Sequence, residues 1–155
     1  MKTESIKIII IDDDSFAMAI TEEIVKRIFT EGQTISFSSA ADALKYLRKE
    51  NGFPTGGIYG PGMILCDLHM PGIDGFMFLA KFAKLSCAVQ NRYSSFILSS
   101  TTDKQDVARL SKMTCCAGFC PKPLTTEKLV KLIETTYCEF EKKNPGSTAL
   151  GKPIE

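Results

Sequence analysis

Four short stretches carry side chains suited to one kind of chemistry. Asp12, Asp13 and Asp14 follow the apolar run Ile8–Ile11, and Asp67 follows Met63–Cys66. Ser99 and Ser100 follow Ser95–Leu98, and Lys122 stands between Pro121 and Pro123 after Gly118–Cys120. Carboxylates gathered in one crevice repel: at ~4 Å and an effective dielectric of roughly 20, one such pair costs about 4 kcal/mol. Protonation, a cation or both must offset that cost. A hard divalent ion with oxygen ligands and retained waters is the simplest solution, and Mg²⁺ suits it best. Lys122 adds a mobile point charge able to meet a phosphoryl oxygen, and Ser99 adds a hydroxyl donor. Carboxylate, divalent cation, lysine and hydroxyl are the parts a phosphoryl-transfer site needs, because that chemistry is catalysed by positioning and charge neutralisation.

The elements between these residues decide whether they meet. Ile6–Ile11, Thr34–Phe37, Met63–Cys66, Ser95–Leu98 and Gly118–Cys120 are short apolar runs that read as buried parallel strands. Helical periodicity fills the gaps. Ser15–Phe29 places Phe16, Ala17, Ile20, Ile24 and Ile28 at three- and four-residue steps, with Asp14 or Ser15 able to cap its start. Ala40–Lys49, Phe76–Leu85, Asp103–Met113 and Thr126–Phe140 follow the same pattern. Five strands alternating with five helices predict an α/β fold, a parallel sheet doubly wound by right-handed crossovers. Ligands bind such sheets at the carboxyl ends of the strands. That rule brings residues more than a hundred positions apart, Asp12 and Lys122 among them, to one edge.

Composition bounds the remaining possibilities. The chain has 155 residues, 19 basic and 18 acidic, with a net charge of +1; that length suits one domain with an ordinary core. Such a balance excludes the broad basic footprint of a dedicated nucleic-acid binder. The run Ile8–Ile11 is far too short to span a bilayer and ends in aspartates, unlike a signal peptide. The neutral total conceals an asymmetry: residues 1–75 carry 7 basic and 11 acidic side chains, whereas residues 76–155 carry 12 and 7. The six cysteines form no CxxC pair and only one histidine exists, so a zinc site is disfavoured and reduced thiols in a cytoplasmic protein are expected. Asn51–Gly62, with five glycines and two prolines, reads as a surface loop; it lacks the GK[ST] of a phosphate loop. A domain over residues 5–140 and a polar tail over 141–155 are expected.

The stretches IIIIDDDS at 8–15, MILCDLHMPGIDGF at 63–76, FILSS at 96–100 and GFCPKPL at 118–124 resemble the response-regulator receiver domain of two-component signalling. The D-x-x-M-P-G-x-D-G run at Asp67–Gly75 is the most specific part of that resemblance. It implies a (βα)5 sheet with flavodoxin-like strand order 2-1-3-4-5. It implies Asp67 as phosphoryl acceptor, with Mg²⁺ held by Asp13 directly, by Asp12 directly or through water, by Asp67 and by the backbone carbonyl of His69. Lys122 would pair with the phosphoryl group, and Phe119 would be the aromatic switch residue. Ser99 would be the switch hydroxyl by its place after Leu98, whereas spacing back from Lys122 points to Ser100. A cis Lys122–Pro123 bond is also implied.

The implied function is a phosphorylation-activated switch and not a conventional enzyme, self-catalysing its aspartyl phosphorylation and dephosphorylation. The phosphoryl group would come from a sensor histidine kinase or a histidine phosphotransfer protein. The output would be an altered partner-binding face, made by the fourth predicted helix, fifth strand and fifth helix. That face would dock an unknown downstream protein or a second copy as a phosphorylation-dependent homodimer, with no direct nucleic-acid or membrane binding. A degenerate receiver acting as a constitutive binding module is the alternative. A small-molecule phosphatase would want an aspartate where His69 stands, and a thiol redox protein would use Cys115, Cys116 and Cys120. Asp14 and Asp74 fit helix caps better than ligands, the His69 side chain fits the pocket rim, and Met70–Pro71–Gly72 is turn chemistry.

Overall fold

The computed structural model describes residues 6–29, 33–50, 60–101 and 103–146. Strands β1 (Lys7–Ile11), β2 (Gln33–Phe37), β3 (Gly62–Asp67), β4 (Tyr93–Ser99) and β5 (Cys116–Pro121) form one parallel sheet in the order β2-β1-β3-β4-β5. The helices are α1 (Ser15–Ile28), α2 (Ala40–Glu50), α3 (Gly75–Phe82), α4 (Cys87–Arg92), α5 (Lys104–Ser111) and α6 (Thr126–Lys143). The doubly wound parallel sheet is the one the β-α alternation predicts, and its flavodoxin-like strand order is the one the resemblance implies.

Burial on both faces explains why the central strands are continuous apolar runs instead of alternating ones. Ile9, Ile11, Ile64, Cys66 and Ile97 pack on one face against Leu44 and Leu47 of α2, Phe78 and Leu79 of α3, Val89 of α4 and Leu110 of α5. Ile8, Ile10, Met63, Leu65, Phe96 and Leu98 pack on the other, against Val25 of α1 and Leu129, Ile133, Tyr137 and Phe140 of α6. The two-residue period of the strands therefore sorts one run such as Ile8–Ile11 into two cores.

Six helices stand where periodicity predicts five. The extra one, α4, has six residues and a single buried apolar side chain, Val89, so it leaves no periodic trace; Ser86 caps it through Val89 N. Its purpose lies at its end. Arg92 is 3% exposed and carries its guanidinium to Glu50 at the end of α2, while its Nε donates to the carbonyl of Gly60 at 3.1 Å. The Tyr93 hydroxyl also donates to Glu50, at 2.5 Å, and Lys7 pairs with it at 3.4 Å and with the Tyr46 hydroxyl. Burial pushes the Tyr93 phenol far up, so it remains a donor. This polar cluster occupies the amino end of the sheet. Of the predicted Asn51–Gly62 loop, residues 51–59 lie outside the described residues, as do residues 147–155 of the predicted tail, while Gly62 belongs to β3 and α6 continues to Lys143.

Gly62 is required by that cluster. It pairs with Tyr93, and a Cβ placed on it would lie 2.3 Å from the buried ring. Gly62→Ala is expected to lose about 2 kcal/mol by overpacking, read as a lower urea midpoint at unchanged m-value.

Candidate functional site

The carboxyl edge of the sheet gathers the predicted residues. The chain leaves β1 at Asp12, whose N–H donates to Phe37 O at the end of β2 at 3.1 Å. The residue is nearly closed off from solvent, 4% exposed. Its Oδ1 accepts from Asp14 N at 2.9 Å and its Oδ2 from Lys122 Nζ at 3.1 Å. Asp13 is exposed. Asp67, the last residue of β3, is half-buried, and its Oδ1 lies 3.0 Å from the same ammonium. Asp12, Asp13 and Asp67 each offer a carboxylate oxygen within 4.8 Å of the others.

Lys122 reaches this cluster because its own backbone is fixed. Its N–H donates to Ser99 O at 2.9 Å, extending the β4–β5 pairing by one residue, and the Lys122–Pro123 peptide is cis. Ser99 closes β4, fully buried, and its hydroxyl oxygen accepts from Thr101 N at 3.1 Å; Ser100 is exposed. Phe119 pairs with Ile97 and is half-buried against the core formed with α2 to α5. The His69 side chain is exposed at the rim, with Nε2 3.9 Å from Asp106 Oδ2 on α5. Asp14 accepts from Phe16 N and Ala17 N, and Asp74 from Met77 N, so both are helix caps as their positions predict.

Charge is unbalanced in this pocket. Burial raises the Asp67 carboxyl above its usual range, Asp12 and Asp13 push the same way, and Lys122 offsets them only in part. For Lys122, burial alone would lower the ammonium, but the hydrogen bonds and charges of Asp67 and Asp12 outweigh it and hold it above its usual value. Lys122 thus meets two of three neighbouring carboxylates and leaves the group with an excess of negative charge. An all-oxygen set with that excess of negative charge fits a hard divalent ion and not a soft one.

The cysteines have no such electrostatic help. All six are free thiols, and burial raises Cys66, Cys115, Cys116 and Cys120, opposite to what a reactive thiolate needs. Cys115 donates instead to Leu79 O at 3.2 Å. Two contacts of the basic side chains escape the sequence: Arg109 stacks on the Phe76 ring at 4.0 Å, and Lys128 turns toward the Lys122 segment. Neither has a local signal, since each partner is distant or lies on the backbone.

Sheet order, winding and an acid–lysine pocket at the strand ends define a flavodoxin-like α/β protein with a charged carboxyl edge. The chain belongs to the response regulator receiver domain family of two-component signalling, whose family model matches residues 8–134. A response regulator receiver protein from Dyadobacter fermentans DSM 18053 is similar at 29% identity and TM-score 0.72, over 83% of this chain and 95% of that one. A two-component response regulator from Cytophaga hutchinsonii shares the fold at 23% identity and TM-score 0.73, over 86% and 97%. The chemotaxis protein CheY4 of Vibrio cholerae shares it at 17% identity and TM-score 0.62, over 84% and 97%. No curated protein matches the chain at a significant level. Among the described residues no helix is long and apolar enough to cross a membrane.

Proposed function

We propose that this receiver is a phosphorylation-activated switch that accepts a phosphoryl group on Asp67. The observation that carries the reading is the contact of Lys122 Nζ with both Asp67 Oδ1 and Asp12 Oδ2, 3.0 and 3.1 Å away. An Asp67 oxygen attacks the phosphorus of a phosphohistidine on a sensor kinase or phosphotransfer protein. The P–N bond breaks, the imidazole leaves with the electron pair and takes a proton, and an acyl phosphate remains on Asp67. Lys122 then exchanges its carboxylate contact for a phosphoryl oxygen. The Ser99 hydroxyl, already at the strand end, donates a hydrogen bond to a second oxygen. Asp12, Asp13, Asp67 and the backbone carbonyl of His69 would hold Mg²⁺. That ion, when bound, neutralises the carboxylates and the transferred oxygens.

Phosphorylation adds roughly −1.5 to −2 of charge at this edge. Ser99 and Phe119 sit on neighbouring strands, β4 and β5, so a hydroxyl drawn toward Asp67 vacates space beside the Phe119 side of the sheet. The face made by α5, β5 and α6 is then biased between two states that a downstream protein or a second copy distinguishes. We place the switch in the cytoplasm, where six free thiols stay reduced.

Incubation with Mg²⁺ and acetyl phosphate tests the reading. Wild-type protein is expected to acquire an acid-stable, base-labile label, absent without Mg²⁺ and absent from Asp67→Asn. No label on wild type, or equal label on the variant, would sink it.

A further inference from the structure

A lysine in the first turn of a helix is electrostatically misplaced, because the helix N-terminus already carries partial positive charge. Lys128 occupies that place in α6, where its own N–H is taken by Thr125 Oγ1 at 3.2 Å. Its ammonium folds back onto the backbone at the surface. It donates to Pro121 O at 2.9 Å and to Pro123 O at 3.1 Å, the two carbonyls that flank Lys122. β5 is an edge strand, so no further strand supplies a donor to Pro121. The prolines themselves have no N–H, which leaves the Lys122 N–H to Ser99 O as the backbone bond that the 121–123 segment donates. Among the described residues, beside the long Cys120 Sγ contact with Pro121 O at 3.7 Å, three bonds therefore hold the segment's backbone, one from Lys122 itself and two from Lys128.

We propose that Lys128 is the positioning residue for Lys122: by bridging the Pro121 and Pro123 carbonyls it fixes the backbone from which Lys122 reaches the acceptor. The proposal rests on the reading of Asp67 as acceptor only for its functional consequence, since the bridge itself is a property of the unmodified chain. Lys122 is a flexible side chain, and its ammonium meets Asp67 and Asp12 only if its Cα is held in place. Without the bridge, the segment keeps a single backbone bond at the end of an edge strand, and the charge that must meet a phosphoryl oxygen is spread over more positions. A divalent ion would be held by the aspartates and would take no ligand from this segment, although the Lys122 ammonium competes with it for Asp12 and Asp67.

Lys128→Met keeps the aliphatic stem and removes the donors, and Lys128→Arg restores donors. Amide hydrogen exchange at Lys122 in the unliganded protein should rise about tenfold in Lys128→Met and return toward wild type in Lys128→Arg. With Mg²⁺ present, beryllofluoride affinity should fall roughly tenfold in Lys128→Met, recover in Lys128→Arg, and show no further loss when Lys128→Met is added to Lys122→Met. Mg²⁺ affinity measured without beryllofluoride should not fall in Lys128→Met or Lys128→Arg, since the aspartates would hold the ion and a less fixed Lys122 competes with it less. Unchanged Lys122 exchange in Lys128→Met overturns the proposal, as does an equal beryllofluoride loss on the Lys122→Met background or a parallel loss of Mg²⁺ affinity. If wild-type protein binds no beryllofluoride, the acceptor reading fails by itself and the exchange measurement still decides the bridge.

Discussion

Glu50→Ala is expected to cost about 3–5 kcal/mol of folding stability, the range for removing one member of a buried ion pair. Its side chain is 7% exposed and receives Arg92, Tyr93 and Lys7, whose Arg92 partner is 3% exposed. Among the described residues, alanine leaves the guanidinium with Gly60 O and the Tyr93 ring, strands the Tyr93 hydroxyl and removes the charge opposite Lys7. Set against a whole-domain stability of roughly 5–15 kcal/mol, that loss is a large fraction. Glu50→Gln keeps an acceptor for Tyr93 and Arg92 and should cost about half as much. Urea unfolding at low and high salt measures both variants, and the loss should be nearly insensitive to salt because the cluster is shielded from counterions. A cost below about 1 kcal/mol would mean that the cluster behaves as a surface pair. The folded fraction should still label on Asp67, since this cluster lies at the opposite end of the sheet.

The contrast between those two ends shows what a sequence can disclose. Asp12, Asp67, Ser99 and Lys122 each end an apolar run, and a parallel sheet necessarily aligns such ends, so the candidate pocket could be assembled before any coordinates. The Ser99 and Ser100 ambiguity is one that spacing alone leaves open; burial puts Ser99 in the strand end and Ser100 in solvent. The amino-end cluster had no such rule to reveal it. Glu50 looks like an ordinary charged helix terminus, and Arg92 ends a helix too short to show periodicity. Their meeting depends on α4 bringing residue 92 beside residue 50, a long-range event without a local pattern. Lys128 escaped for a related reason: its partners are carbonyls, which every residue has.

Lys122→Met should reduce phosphoryl incorporation from acetyl phosphate by about 10²–10³-fold, the usual effect of deleting one preorganised charge at a developing anion. The same substitution should tighten Mg²⁺ binding. Lys122 lies 3.0 Å from Asp67 and 3.1 Å from Asp12, on two of the three carboxylates that would hold the ion, so ammonium and metal compete for shared charge. Methionine fills the stem's volume and leaves three carboxylates without a cation, and Mg²⁺ should therefore raise the melting temperature of the variant more than that of wild type. The pH dependence has a definite sign. Asp67 is raised in the folded state, so its contribution is fully favourable below its unfolded value and is lost as pH rises through the folded one. Lys122 moderates that loss in the wild-type pocket. Without Mg²⁺ the variant should match wild type in acid, where Asp67 is protonated, and fall below it as the carboxyl ionises. Melting curves across that range, with and without Mg²⁺, separate a missing charge from a general packing defect, because a defect would persist at every pH and would not be reversed by the metal.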